Sequence, residues 1–305
     1  MPREDFRCGY IAILGKPNVG KSTLVNALLG QKIAAVSPRP QTTRRRQLGI
    51  LTLPEAQLIF VDTPGVHTPH HKLGEFFNQE AETALEGVDV ALFLVDASLE
   101  PDDEDRQVAD LLHHLRPRPD LVLGLNKTDK VPAEVLEAAR SAYQALLPEA
   151  LPLAFSAATH QGLKELVVAL TVRLPVRPAE FPEEQITDYY EREIAAELVR
   201  EAALVFLKDE VPHALAVRLD EFSERPNGSA YIAATLLVEH DSQKGIVIGE
   251  GAGMLRKIGS AARKEIESMS GRKVYLDLHV KVDKNWRDDE NALRRLGYKI
   301  RRRKK

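Results

Sequence analysis

Residues 15–22 read Gly15-Lys16-Pro17-Asn18-Val19-Gly20-Lys21-Ser22, a GxxxxGK[ST] loop between an apolar run at 10–14 and a helical pattern at 22–29. Glycines let such a loop wrap so that its N–H groups turn inward on phosphate oxygens. The helix that follows adds the positive end of its dipole. Lys21 is expected to bring a point charge to β- and γ-phosphates, and Ser22, with Thr23 behind it, to offer a hydroxyl to Mg²⁺. A strand–loop–helix unit of this kind belongs to a parallel α/β sheet.

Further apolar runs at 58–61, 88–95, 121–125 and 152–155 are short and apolar on both faces, as strands covered by helices should be. Amphipathic stretches at 104–115, 133–146 and 163–174 alternate with them. The expectation is a three-layer α/β domain over 1–174 with a mainly parallel sheet. Its ligands should gather at the carboxyl ends of the strands.

Two more motifs sit at such ends. Asp62-Thr63-Pro64-Gly65 follows the run LIFV, where a carboxylate suits a metal beside the phosphate loop and Gly65 lets its N–H approach a γ-phosphate. Asn126-Lys127-Thr128-Asp129 follows LVLGL. A carboxylate such as Asp129 can accept from both N1–H and the exocyclic amine of guanine, a donor pair that adenine lacks, so adenine leaves it unpaired. Asn126 is expected to hold the loop and the base edge, with the stem of Lys127 over the ring.

Residues 175–182, PVRPAEFP, carry three prolines and read as a linker or hinge. Beyond it, over 183–305, the pattern becomes a helix at 189–207, strands at 214–222 and 229–239, a helix at 254–269, a strand at 274–282 and a short helix at 288–296. That order describes a smaller α+β domain.

The chain has 305 residues, 44% of them hydrophobic and 29% charged, and a formal net charge of -3. A wholly disordered chain is excluded by that composition. No apolar run reaches the roughly 20 residues of a membrane span, and the N-terminus is too polar for a signal peptide. The single cysteine, Cys8, leaves no internal disulfide or Cys-rich metal site. The expected setting is the cytoplasm. The charge is unevenly spread: 23 Lys/Arg against 35 Asp/Glu over 1–224, and 19 against 10 over 225–305. A basic C-terminal part on an acidic protein implies a polyanionic partner. His67, His70 and His71 lie close together, but with no Cys or paired acid beside them they read as a solvated loop.

These motifs, with Ser156-Ala157-Ala158 after the last strand, resemble the phosphate and base signatures of the translation-factor-like GTPases, and Gln41-Thr42-Thr43-Arg44 resembles their first switch. Within that group the whole chain is similar to bacterial ribosome-assembly GTPases with a C-terminal KH domain. The resemblance implies GTP and GDP as ligands, Mg²⁺ held through Ser22, Thr43 and Asp62, and water attacking the γ-phosphate with Lys21, Thr43 and Gly65 as the catalytic groups. Thr42 is nearly as good a switch threonine from sequence alone. Val66 stands where Ras-type GTPases carry a water-orienting Gln, which implies slow intrinsic turnover. Asn18 resembles the asparagine that supports K⁺ in related GTPases, which implies modest K⁺ stimulation.

The stretch 245–259 resembles the helix–loop–helix of a type II KH domain, whose GxxG loop clamps nucleotides. Gly249, Glu250, Gly251 and Ala252 fall at the loop, with Ala252 at the second glycine, a departure from the pattern. Arg256, Lys257, Arg263 and Lys264 on the following helix fit phosphate contact. Lys281, Lys284, Trp286 and Arg287 form a basic and aromatic cluster in which Trp286 is either a stacking platform or a core anchor. The implied partners are the 3′ end of small-subunit ribosomal RNA and the small subunit, with peripheral contact to anionic membrane through the tail and a monomeric state. The alternatives are a GTPase serving tRNA modification and an RNA-binding protein with GTP as a static ligand.

Overall fold

The computed structural model describes residues 5–37, 43–44, 46–65 and 71–298. The chain divides into two compact units, one of residues 1–34, 43–68 and 77–188, the other of 35–42, 69–76 and 189–305.

In chain order the first half carries β1 (Arg7–Leu14), α1 (Lys21–Leu29), β2 (Gln47–Thr52), β3 (Ala56–Asp62), α2 (Lys72–Thr83), β4 (Val90–Asp96), α3 (Asp103–His114), β5 (Asp120–Asn126), α4 (Ala133–Gln144), β6 (Leu151–Ala154) and α5 (Leu163–Thr171). The six strands form one sheet in the order β2-β3-β1-β4-β5-β6. Every pairing is parallel except β2 with β3. All seven residues of β3 and of β4 are buried, the burial on both faces that such strands need.

Two elements of this half were absent from the sequence reading. β2 mixes Gln47, Gly49 and Thr52 with its apolar residues and turns back antiparallel on β3, so it offers no run apolar on both faces. α2 carries Leu73, Phe76, Phe77 and Ala81 at helical spacing, all buried, within an otherwise polar stretch.

The expected hinge at 175–182 is instead laid against the N-terminal ends of β1 and β3. Cys8 N–H donates to Pro175 O at 3.1 Å and Arg177 N–H to Phe6 O at 3.0 Å. The buried Gln57 carboxamide accepts from Glu180 N–H and Phe181 N–H and donates to Phe181 O, at 2.9, 3.0 and 2.9 Å. Further on, Ile50 N–H reaches Ile186 O and Leu48 N–H reaches Asp188 Oδ1. The first unit therefore runs to residue 188, rather than 174, because β1, β2 and β3 supply partners for this backbone.

The second unit contains α6 (Glu191–Phe206), β7 (Ala216–Glu224), β8 (Ala230–Val238), α7 (Asp241–Ile248), α8 (Gly253–Ser270), β9 (Val274–Val282) and α9 (Glu290–Arg295). Its sheet runs β7-β8-β9, antiparallel then parallel, with a bulge between Leu219 and Glu221. Ile194, Leu198 and Val199 of α6 and Ile258, Ala262 and Ile266 of α8 close on Ile232, Leu236 and Val238 of β8 in one core. The order α-β-β-α-α-β is that of the KH-like domain expected from sequence. The helix expected before the loop is α7, which begins at Asp241 and runs through Gly245.

Candidate functional site

The three oxygens proposed for a metal come together. Ser22 Oγ lies 2.7 Å from Thr43 Oγ1 and donates to Asp62 Oδ2 at 2.8 Å. Thr43 Oγ1 is 3.3 Å from the same carboxylate oxygen. Ser22 lies in the first turn of α1, Asp62 ends β3, and Thr43 approaches from the segment before β2; Thr42 and Gln41 lie outside the described residues. Asp62 is buried, and its Oδ1 has no hydrogen-bond partner. Burial holds this carboxyl above the usual range, against the pull of Lys21 and of the two hydroxyls. A buried carboxylate with an unpartnered oxygen beside two hydroxyls is a hard-oxygen donor set of the kind Mg²⁺ takes.

Lys21 is buried, and its Nζ donates to the carbonyls of Gly15 and Lys16 at 2.8 and 3.0 Å. Burial lowers its pKa to about 8, partly offset by Asp62. Gly65 comes against the phosphate loop: a Cβ there would stand 2.9 Å from Pro17 N, closer than real contacts allow. This places the end of the Asp62–Gly65 motif beside the loop, as its expected role requires. Thr63 behaves differently from the reading. Its Oγ1 donates to Ile13 O at 2.8 Å inside the sheet, so its hydroxyl is structural and only its backbone remains for a ligand. Pro64 is buried next to it.

At the base end, Asn126 Nδ2 donates to Val19 O at 2.8 Å and its Oδ1 accepts from Ala157 N–H at 3.0 Å. One buried amide thus ties the phosphate loop to the segment after β6. Lys127, with a left-handed φ of 66°, reaches Asn18 O at 2.8 Å and Asp96 Oδ2 at 2.6 Å. Ser156 Oγ donates to Asp129 Oδ1 at 2.6 Å, which holds the carboxylate in place. Thr23, Ala157 and Ala158 line a cavity of about 350 Å³ between α1 and this segment. Val19 points away, into the core.

The side chain of Lys16, 8% exposed, pairs with Asp102 and Asp105 at 2.7 and 2.8 Å, which leaves its backbone for a ligand in the loop. The sequence reading passed over those two acids and Asp96. Asp96 ends β4, and the rule that ligands gather at strand carboxyl ends could have found it. Nothing in the local pattern of Asp102 and Asp105 announced a lysine 86 and 89 residues away.

In the second unit α7 ends at Gly249, and Gly249, Glu250, Gly251 and Ala252 form a tight loop into α8. A Cβ on Gly249 would meet Met254 Cβ at 2.8 Å. Ala252 takes φ 61° and ψ 24°, the left-handed conformation that glycine adopts without strain. The register expected from the resemblance is the one that places Ala252 there. Arg256, Lys257, Arg263 and Lys264 are exposed on α8, opposite the buried Ile258, Ala262 and Ile266. Their spacing puts them in one basic stripe. Trp286 is fully buried and its Nε1 donates to Ala214 O at 2.9 Å, so it anchors the core and does not stack bases. Arg287 pairs with the buried Glu239, leaving Lys281 and Lys284 as the exposed members of that cluster.

Among the described residues no group of three or more His, Cys, Asp or Glu side chains could hold a metal. His71 Nδ1 lies 3.0 Å from Asp288 Oδ2, while His67 and His70 lie outside those residues. Among them, too, no helix is long and apolar enough to cross a membrane.

Residues 10–127 match the family model described as 50S ribosome-binding GTPase, and residues 210–287 match the KH domain model. The chain is 47% identical to the GTPase Era of Nostoc sp. across 97% of its own length and 91% of that protein's. It is 44% identical to the GTPase Era of Geobacter metallireducens across 98% and 100%. Among solved structures it is similar to Era in complex with MgGDPNP and nucleotides 1506–1542 of 16S ribosomal RNA, with a TM-score of 0.92, 38% identity, 97% of this chain and 100% of that one covered. A substituted Aquifex aeolicus Era bound to GDP and aluminium fluoride gives a TM-score of 0.91 at 38% identity, with the same coverage.

Proposed function

The chain belongs to the Era family of GTPases, and on that footing we propose that it is a GTP-hydrolysing switch that binds the 3′ end of small-subunit ribosomal RNA and acts in small-subunit assembly. The observation that carries this reading is that one chain holds both halves of the device. A phosphate loop joins three converging oxygen donors and a guanine-selecting carboxylate, and a GxxG-type loop opens a helix with an exposed basic stripe. The relative with 16S ribosomal RNA bound was solved with MgGDPNP in place, which supports the pairing of the two ligands.

Ser22, Thr43 and Asp62 would hold Mg²⁺, which when bound neutralises charge on the β- and γ-phosphate oxygens. Lys21 brings its charge to the same oxygens, and Gly65 its N–H to the γ-phosphate. Asp129 accepts from the guanine edge, Ser156 fixes that carboxylate, and Asn126 and Lys127 lock the base loop to the phosphate loop. The water-attack step has no Gln to orient the nucleophile, because Val66 stands there, so turnover is slow. K⁺ bound near Asn18 would speed it modestly.

In the RNA half the loop gives close backbone approach and Arg256, Lys257, Arg263 and Lys264 meet phosphates. Contact of the tail at 301–305 with anionic membrane is the lesser part of the proposal; sedimentation with phosphatidylserine vesicles tests it, and no enrichment over neutral vesicles overturns it. The protein acts as a monomer.

The decisive experiment titrates a 3′-terminal 16S ribosomal RNA oligonucleotide, and a tRNA as competitor, with a GTP analogue, with GDP and with no nucleotide. Tighter binding of the ribosomal oligonucleotide in the GTP state is expected. Equal affinity in all three states would remove the switch, since a ligand without differential affinity shifts nothing. Preference for tRNA would turn the assignment to tRNA modification.

A further inference from the structure

Lys16 lies inside the phosphate loop, yet its ammonium serves the neighbouring helix. Asp102 is the N-cap of α3 and Asp105 its third residue, and the two form a capping box: Asp105 N–H donates to Asp102 Oδ1 at 3.1 Å and Asp102 N–H to Asp105 Oδ2 at 3.2 Å. Lys16 Nζ sits on this box at 2.7 and 2.8 Å from the two carboxylates. Asp105 has no exposed side-chain surface, and its Oδ2 also accepts from Tyr143 Oη of α4 at 3.3 Å. A buried carboxylate of this kind needs its cation, and the cation in turn needs both partners to be held in one geometry.

The consequence reaches the reaction site through the backbone. The carbonyl of Lys16, and that of Gly15 before it, are the two acceptors on which Lys21 Nζ rests. The side chain of Lys16 is therefore tethered to α3 while its own peptide group holds the lysine that meets the phosphates. We propose that Lys16 is a positioning residue: by anchoring the start of the phosphate loop to the α3 capping box, it sets the peptide orientation that presents Lys21 to the β- and γ-phosphates. This rests on the reading of Lys21 as the phosphate lysine, and the controls separate the two. Bulk solvent does not reach the fully buried Asp105, while the half-exposed Asp102 closes the pair from the solvent side; a side chain that fails to span loop and helix leaves the loop free to turn its carbonyls.

The test compares Lys16→Met, Lys16→Arg, Lys16→Met with Asp105→Asn, and Lys21→Ala, each shown to be folded by a cooperative thermal melt. The paired variant removes the cation together with the buried carboxylate it would leave unpaired, and keeps the experiment informative where Lys16→Met alone fails to fold. Affinities for GDP and for a GTP analogue are measured well below the melting temperature, with the ³¹P shift of the bound GDP β-phosphorus as the reporter of position. The expected result is a loss of about tenfold or more in both affinities and a displaced β-phosphorus signal without the Lys16 cation, and recovery to within about threefold in Lys16→Arg. A role confined to stability lowers the melting temperature alone: folded Lys16→Met, or the paired variant, binding GDP within about threefold of wild type with an unchanged ³¹P shift would overturn the proposal. Wild-type affinity in Lys21→Ala would instead overturn the reading beneath it.

Discussion

Ser22 Oγ and Thr43 Oγ1 stand 2.7 Å apart, although 21 residues separate them in the chain. Both touch Asp62 Oδ2. This contact bears on a choice that spacing left open between Thr42 and Thr43. Thr43→Ala should weaken the GTP analogue about tenfold in the presence of Mg²⁺, roughly 1.4 kcal/mol, and leave GDP within about twofold. Equilibrium titration of both nucleotides against Thr42→Ala checks it; a larger effect at Thr42 reassigns the switch threonine.

Asp129 is held by Ser156 at 2.6 Å, which leaves the rest of its carboxylate for a base edge. Asp129→Asn replaces one acceptor by a donor, so GTP binding should fall about 100-fold or more while xanthosine triphosphate gains. Competition between the two nucleotides is the measurement, and unchanged guanine selectivity would end this assignment.

Gly249 and Ala252 make opposite predictions within one loop. A side chain at 249 collides with Met254, so Gly249→Ala should lower the stability of the second unit and weaken RNA binding. Ala252 carries left-handed strain of about 1 kcal/mol, which Ala252→Gly relieves while RNA affinity is kept. Thermal melts and RNA titration of the two variants test the pair; a destabilised Ala252→Gly would contradict the loop geometry.

Lys257 and Arg263 are exposed on the basic stripe of α8. Each alanine variant that removes a phosphate contact on single-stranded RNA should reduce the slope of log K against log salt by about 0.7. Fluorescence anisotropy at several salt concentrations reads this directly, and an unchanged slope for both would move the RNA path off α8.

Cys8 is 2% exposed, and burial pushes its thiol above the ordinary range. The thiolate is the reactive form, so the native protein should react with a disulfide reagent only as it unfolds, and far more slowly than a free thiol. Rapid labelling of the folded protein at neutral pH would show that the N-terminal edge opens locally.

The parts of the site that are local in the chain could be read from residues. Gly15 to Ser22 and Asp62 to Gly65 each follow a strand and supply their chemistry within a few positions. The register of the loop at Gly249 to Ala252 stayed open, because Ala252 stands where the pattern has glycine. Trp286 could not be decided, since an aromatic beside basic residues reads equally as platform or core until its indole finds Ala214 O, 72 residues away. β2 was missed because one antiparallel edge strand needs no run apolar on both faces.

By itself the sequence determined the fold class, the phosphate and guanine chemistry and the basic character of the second half, because backbone wrapping, donor type and charge are properties of short segments and of composition. Only the tertiary structure decided that Thr43 meets Ser22, that the stretch 175–182 lies against the N-terminal ends of β1 and β3, and that the side chain of Lys16 pairs with Asp102 and Asp105. Those outcomes depend on partners far apart in the chain, whose distance and burial arise when the sheet brings its carboxyl ends together.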